Sequence, residues 1–182
     1  MTTSITDVLN AYFSGQQTHI STHPRQPVGD ATLFDPPCEI PGIAENWDLD
    51  ALPDDLLNLW TSTAECRLHH DNGLRRESIT LLSPSASKAL TARELMFWGI
   101  DDRRLAKDDI IFGTLLVEPE LLVFDPTRDE YTILLASMLE ERKDWPVVGR
   151  NLADFLLRYR HSSSQNPWRA SVVKPNSPRI GC

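Results

Sequence analysis

The sequence predicts an α+β fold, a mixed, largely antiparallel sheet with helices packed against it, and three observations carry that prediction. Apolar, β-rich runs at 110–117, 121–124 and 131–135 follow one another through short connections containing Pro119, Pro126 and acidic residues. Short polar connections of that kind join neighbouring strands of an antiparallel meander. Stretches with helical spacing of apolar residues flank the meander on both sides. Finally, Asn72-Gly73 stands between two further strand candidates, 67–70 and 78–82, and Asn-Gly is a strong signal for a tight hairpin turn.

Taken in order, residues 4–14 have the spacing of a short helix. Ser4 or Thr6 caps it, Ile5, Val8 and Leu9 share one face, and Gly15 stops it. From Gln16 to Pro41 five prolines exclude a long helix or a central strand, so an irregular arm is expected there. Residues 54–61 form a helix. Leu52-Pro53 leads into it, Asp54 and Asp55 suit its positive N-terminal end, and Leu56, Leu57, Leu59 and Trp60 supply its apolar face. Residues 85–98 are helical with a break expected near Thr91, because Thr91 followed by Glu94 makes a capping box. A closing helix over 148–160 carries Leu152, Phe155, Leu156 and Tyr159 on one stripe. The division that follows is an N-terminal helix and arm over 1–42, a main domain over 43–161, and a polar tail over 162–182.

Charge is unevenly spread. The net charge is -8 over 182 residues, yet from Phe155 onward there are five basic residues and no acidic one. All 26 acidic residues precede that point, against 13 basic ones. An acidic body disfavours direct binding to nucleic acid or to an anionic membrane and suits a basic partner. No apolar run approaches the roughly 18 residues that span a bilayer. The start, Met1-Thr2-Thr3-Ser4, has no basic stretch, so no export signal is expected. Three widely spaced cysteines, Cys38, Cys66 and Cys182, form no disulfide framework. A cytoplasmic location follows as the expectation.

No catalytic pattern emerges. The glycines are scattered singly, which excludes a phosphate-binding loop or a dinucleotide fingerprint, and there is no nucleophile elbow. His69-His70-Asp71 is the densest set of metal-ligating types. Adjacent strand residues face opposite ways, so His69 and Asp71 pair but lack a third and fourth ligand. No enzyme activity, cofactor or metal is therefore expected. Five tryptophans raise a different possibility. Trp60 and Trp98 lie on apolar helical faces and belong to a core. Trp47 and Trp145 stand in polar stretches, where an aromatic either anchors a partner or pins a loop. With Glu45, Asp48, Asp50, Asp54 and Asp55 nearby in sequence, Trp47 becomes the centre of a candidate partner-binding set, to which Trp145 is added.

The residues Leu52-Pro53-Asp54-Asp55-Leu56 through Trp60, Leu81-Leu82-Ser83-Pro84, Asp108-Asp109-Ile110-Ile111-Phe112-Gly113, Leu121-Leu122-Val123-Phe124-Asp125, Asp144-Trp145 and Asn151 through Leu157 resemble, in their order and spacing, the SUKH superfamily. That group includes the Smi/Knr cell-wall regulators and many bacterial toxin-immunity proteins. The resemblance covers roughly residues 43–168. One departure is Ala64-Glu65-Cys66, where the family often has an Asn-Gly or Asp-Gly turn. The resemblance implies a binding scaffold that neutralises a cognate toxin, often a nuclease, by direct contact. Its alternative is a regulatory, adaptor or secretion-associated protein without a toxin partner. The oligomeric state is left open by both.

Overall fold

The computed structural model describes residues 5–15, 33–68, 79–98, 104–115, 120–126, 132–137 and 139–161. Its centre is a seven-stranded sheet whose strands lie side by side in chain order. They are β1 (Leu33–Phe34), β2 (Cys66–Leu68), β3 (Ile79–Leu81), β4 (Ile110–Leu115), β5 (Glu120–Asp125), β6 (Thr132–Ser137) and β7 (Val147–Gly149). All six pairings are antiparallel. Among the described residues five α-helices accompany them: α1 (Ile5–Gly15), α2 (Ile40–Ala44), α3 (Asp54–Ser62), α4 (Pro84–Trp98) and α5 (Leu152–His161). The fold is α+β.

The three long strands explain the layering. Side chains alternate across a strand, so a run that is apolar at every position must be covered on both faces. On one face the pairs Leu122–Leu135 and Phe124–Ile133 meet Phe112, whose ring lies 4.5 Å from that of Phe124. This face holds the larger core, roofed by Ile5, Val8 and Leu9 of α1, Leu56, Leu59 and Trp60 of α3, and Phe155, Leu156 and Tyr159 of α5. On the other face Leu121–Ala136 and Val123–Leu134 join Ile111, Leu105 and Trp145, and α4 lies over them with Leu90, Leu95 and Trp98. The helices therefore form unequal layers on either side of the sheet.

A register shift between Ile111 and Gly113 inserts one residue into β4. At Gly113 a Cβ would come within 2.9 Å of the Leu122 side chain and 3.1 Å of the Thr80 carbonyl, so any larger residue would push both neighbouring strands aside. Upstream of this bulge β3 has ended, and the outer edge of β4 is met by α4 instead. The Thr91 hydroxyl oxygen accepts from the Ile111 N–H at 3.0 Å, and the Ser87 hydroxyl donates to the Ile111 carbonyl at 2.6 Å.

That contact corrects the expected break in α4, which runs unbroken from Pro84 to Trp98. Thr91 does not cap a new helix, because its oxygen is committed to β4. Glu94 is buried as well and pairs with Arg93. α4 thus turns Ser87, Thr91 and Glu94 inward, at i, i+4 and i+7, while Met96 and Phe97 are 82% and 77% exposed.

The N-terminal helix forms where its apolar spacing places it. Ile5, Val8 and Leu9 belong to the same core as the strands, and β1 pairs with β2, so the packing is continuous across position 42. The prolines are accommodated rather than avoided. Pro36 and Pro37 follow an edge strand of two residues, and Pro41 sits in the first turn of α2, where its missing N–H is not needed. The closing helix starts later than its apolar stripe suggests. Residues 147–149 form β7, and the Asn151 side chain accepts from the Asp154 N–H at 2.7 Å to start α5. The Asn72-Gly73 turn, His69, Asp71 and the tail 162–182 lie outside the described residues.

Candidate functional site

Residues 39–53 make a compact turn-rich segment in front of α3. The short helix α2 ends in a turn at Glu45 and Asn46, and the backbone N–H of Trp47 donates to the Ile43 carbonyl at 3.0 Å. The Asp48 carboxylate then accepts from the Asp50 N–H at 3.2 Å and starts a 3-10 turn over Leu49–Ala51. Consecutive tight turns hold the side chains of Glu45, Asp48, Asp50 and Asp54 on the outside, and all four residues are exposed. Among the described residues no salt bridge engages any of them.

Trp47 is half-buried. Its indole stacks on Trp60 at 6.3 Å and 23°, its N–H donates to the Pro84 carbonyl at 3.0 Å, and the Lys88 ammonium lies 4.5 Å from its ring centroid. The indole therefore ties the acidic turn to α4 and to the core. Of the two roles open to an aromatic in a polar stretch, pinning a loop is the one this geometry displays.

Between the pinned turn and α4 runs an open groove of about 400 Å³. One side is Trp47, Asp48, Ala51 and Leu52. The other is Lys88, Thr91, Ala92 and Leu95 on α4, with Lys107, Asp108 and Ile110 at the end where β4 begins. Its walls are mostly apolar. Asp108 pairs with Lys107 at 3.9 Å, both exposed. The groove was not anticipated from sequence, since its sides lie about 40 residues apart in the chain and meet where Trp47 reaches Pro84 and Lys88.

Behind the end of the groove lies a buried ion cluster that sequence reasoning missed. The Arg142 guanidinium clasps both oxygens of Asp109, reaches Asp125 at 3.0 Å and donates to the Arg104 carbonyl at 3.1 Å. The side chain of Asp109 is fully buried and that of Asp125 is 3% exposed. Burial pushes the Asp109 carboxyl above the ordinary carboxylate range, against the opposing pull of Arg142 and of the Ala106 N–H, with Asp125 adding to the rise. Burial acts on Arg142 in the opposite sense, but the hydrogen bonds and charges of the two carboxylates outweigh it and raise its pKa. Arg142 stays charged. Both Asp109 oxygens are engaged, Oδ2 also by Ala106 at 2.8 Å, so the cluster clamps the 104–109 loop, β5 and the 142–144 turn together. The only signal in sequence was the doublet Asp108-Asp109 before an apolar run.

Two members of the expected partner-binding set take structural positions. Trp145 is 3% exposed, stands 6.4 Å from Trp98 in the smaller core and donates to the Glu140 carbonyl, so it offers a partner no surface in this conformation. Asp55 is partly buried, and its carboxylate accepts from the Leu152 N–H at 2.8 Å, capping α5 from across the core. Glu45, Asp48, Asp50 and Asp54 are exposed along the 45–54 segment, with Trp47 half-buried in it. Cys66 is buried and its thiol is pushed up by burial and by Glu65, while Cys38 is raised by burial alone; both are free thiols. Among the described residues no group of three or more His, Cys, Asp or Glu could hold a metal, and no helix is long and apolar enough to cross a membrane. Neither protein-family models nor the curated proteins yield a match to this chain.

Proposed function

We propose that this chain is a protein-binding module of the SUKH type, an immunity protein that neutralises a cognate toxin by direct contact. The observation that carries the reading is the acidic turn: four exposed carboxylates, Glu45, Asp48, Asp50 and Asp54, are held on a segment that Trp47 locks to the core. A fixed patch of one sign steers an oppositely charged partner and speeds its capture. A nuclease toxin is such a partner, because it must be basic to hold its own substrate. The order of elements, α3, then β2 and β3, α4, the β4–β6 meander and α5, supports the family resemblance. The reading places its action in the cytoplasm, in keeping with the free thiols of Cys38 and Cys66.

The test is co-expression with the product of a neighbouring gene, followed by association kinetics. The wild-type chain should relieve toxicity and bind fast, with a rate that falls as salt rises. Replacing Glu45, Asp50 and Asp54 by lysine should slow association about 10- to 100-fold while changing dissociation little. No rescue and no complex with any neighbouring product would refute the immunity role. A stable complex with a host regulatory protein instead would establish the adaptor alternative.

A further inference from the structure

We propose that the groove between the Trp47 turn and α4 is the docking site for an extended, basic segment of the protein partner, with one apolar side chain seated between Leu52 and Leu95. The inference deepens the protein-binding reading and rests on it.

Shape and charge point to the same occupant. The groove is open to solvent, and its volume of about 400 Å³ accommodates a large apolar side chain with flanking backbone. Its apolar residues, Ala51, Leu52, Ala92 and Leu95, come from two separate elements, so a seated side chain would bridge them. Asp48 and Asp108 line it together with Lys88 and Lys107, and Glu45, Asp50 and Asp54 are exposed on the 45–54 segment that supplies one of its sides. Lys107 is already paired with Asp108, and Lys88 lies over the Trp47 ring. The remaining field is negative, and it favours Lys or Arg on either side of the apolar anchor over acidic residues. An acidic or neutral segment would gain the apolar contact alone.

Lys88 has a distinct part in this arrangement. It is the cation on the groove wall nearest the Trp47 ring, and a basic segment must approach against it. It therefore opposes the basic flanks of the segment slightly, and its neutralisation should strengthen binding.

The probe is a capped heptapeptide with phenylalanine at its centre and lysine or arginine at every other position, titrated into the full chain and followed by amide and indole NMR shifts. Shifts should centre on Trp47, Ala51, Ala92 and Leu95. Exchanging the basic residues for glutamate should weaken binding at least tenfold, and exchanging the phenylalanine for glycine should weaken it about as much. Ala92 is exposed on α4, so Ala92→Gln fills the groove without touching the core and should weaken binding about tenfold. Lys88→Gln should tighten it several-fold. Shifts that map elsewhere, equal binding of the glutamate peptide, or indifference to Ala92→Gln would overturn the assignment. The two proposals fail separately. If a toxin partner binds with Ala92→Gln unchanged, the groove is wrong and the protein-binding reading stands. If the peptide behaves as stated and no neighbouring toxin binds, the groove stands and the immunity role falls.

Discussion

Replacing Thr91 by valine tests how α4 is held to the sheet. Valine keeps the branched shape of threonine and exchanges its hydroxyl for a methyl group. The Ile111 N–H, buried beneath α4, would then lose its acceptor at 3.0 Å, with Thr91 itself only 5% exposed. A buried donor left without a partner costs about 1–3 kcal/mol. For a chain of this length about 2 kcal/mol corresponds to a fall in Tm of roughly 4–8 °C. In urea, with a slope of about 2 kcal/mol per molar, the midpoint should drop by about 1 M. Thermal and urea unfolding read both numbers, and hydrogen exchange at the Ile111 amide reads the local effect. Thr91→Ser retains the oxygen and should lose less than half as much. A valine variant within about 1 °C of the wild type would refute the view that this bond anchors the helix, as would a serine variant that is the worse of the two.

The remaining predictions concern the ion cluster and the cap of α5. Asp109 has a folded pKa raised above its unfolded value, so its contribution to stability is fully present below the ordinary carboxylate pKa and is lost as pH rises through the raised one. The wild type should therefore exceed Asp109→Asn by more at pH 4 than at pH 7; a gap that is constant or widens with pH contradicts this. Arg142→Met leaves two buried carboxylates facing each other and should cost about 3–5 kcal/mol at neutral pH, less on acidification as they take up protons. Chemical denaturation at several pH values checks both. Asp55→Ala removes the acceptor for the Leu152 N–H and should cost about 1 kcal/mol, with faster amide exchange confined to the first turn of α5.

The parts of the fold that were legible in sequence are those whose burial is complete. The runs Ile110–Leu115, Glu120–Asp125 and Thr132–Ser137 are apolar at nearly every position, because helices cover both faces of the sheet. α4 was misread at Thr91 since its inward stripe is polar: the partners it satisfies are backbone groups of β4, and no local pattern reveals them. The start of α5 is written in its cap rather than in its apolar stripe. Asn151 followed by Asp154 is the capping signal, and the apolar Val147-Val148 ahead of it belongs to a strand. Trp60 and Trp98 pack into the two cores as their apolar helical faces imply, but the fates of Trp47 and Trp145 were not legible. Trp47 and Trp145 stand in similar polar contexts, yet one edges a groove and the other fills a core, a difference set by Pro84 and Trp98 from distant segments. The Arg142 cluster likewise joins residues from three separate stretches, and only the folded chain brings them together.

The polar stripe of α4 also bears on how this chain avoids self-association. Beyond Leu82, whose N–H still donates to the Phe112 carbonyl at 2.8 Å, the backbone N–H and carbonyl of Ile111 would face outward on the edge of β4. Such an edge is a template for another chain's strand. Natural sheets blunt such edges with prolines, charges or bulges; here Ser87 and Thr91 close it with two hydroxyl groups from a helix. The seal is only as durable as the seating of α4. A variant that loosens the helix would aggregate through β4 before it unfolds, and its solubility would fall well ahead of its melting temperature.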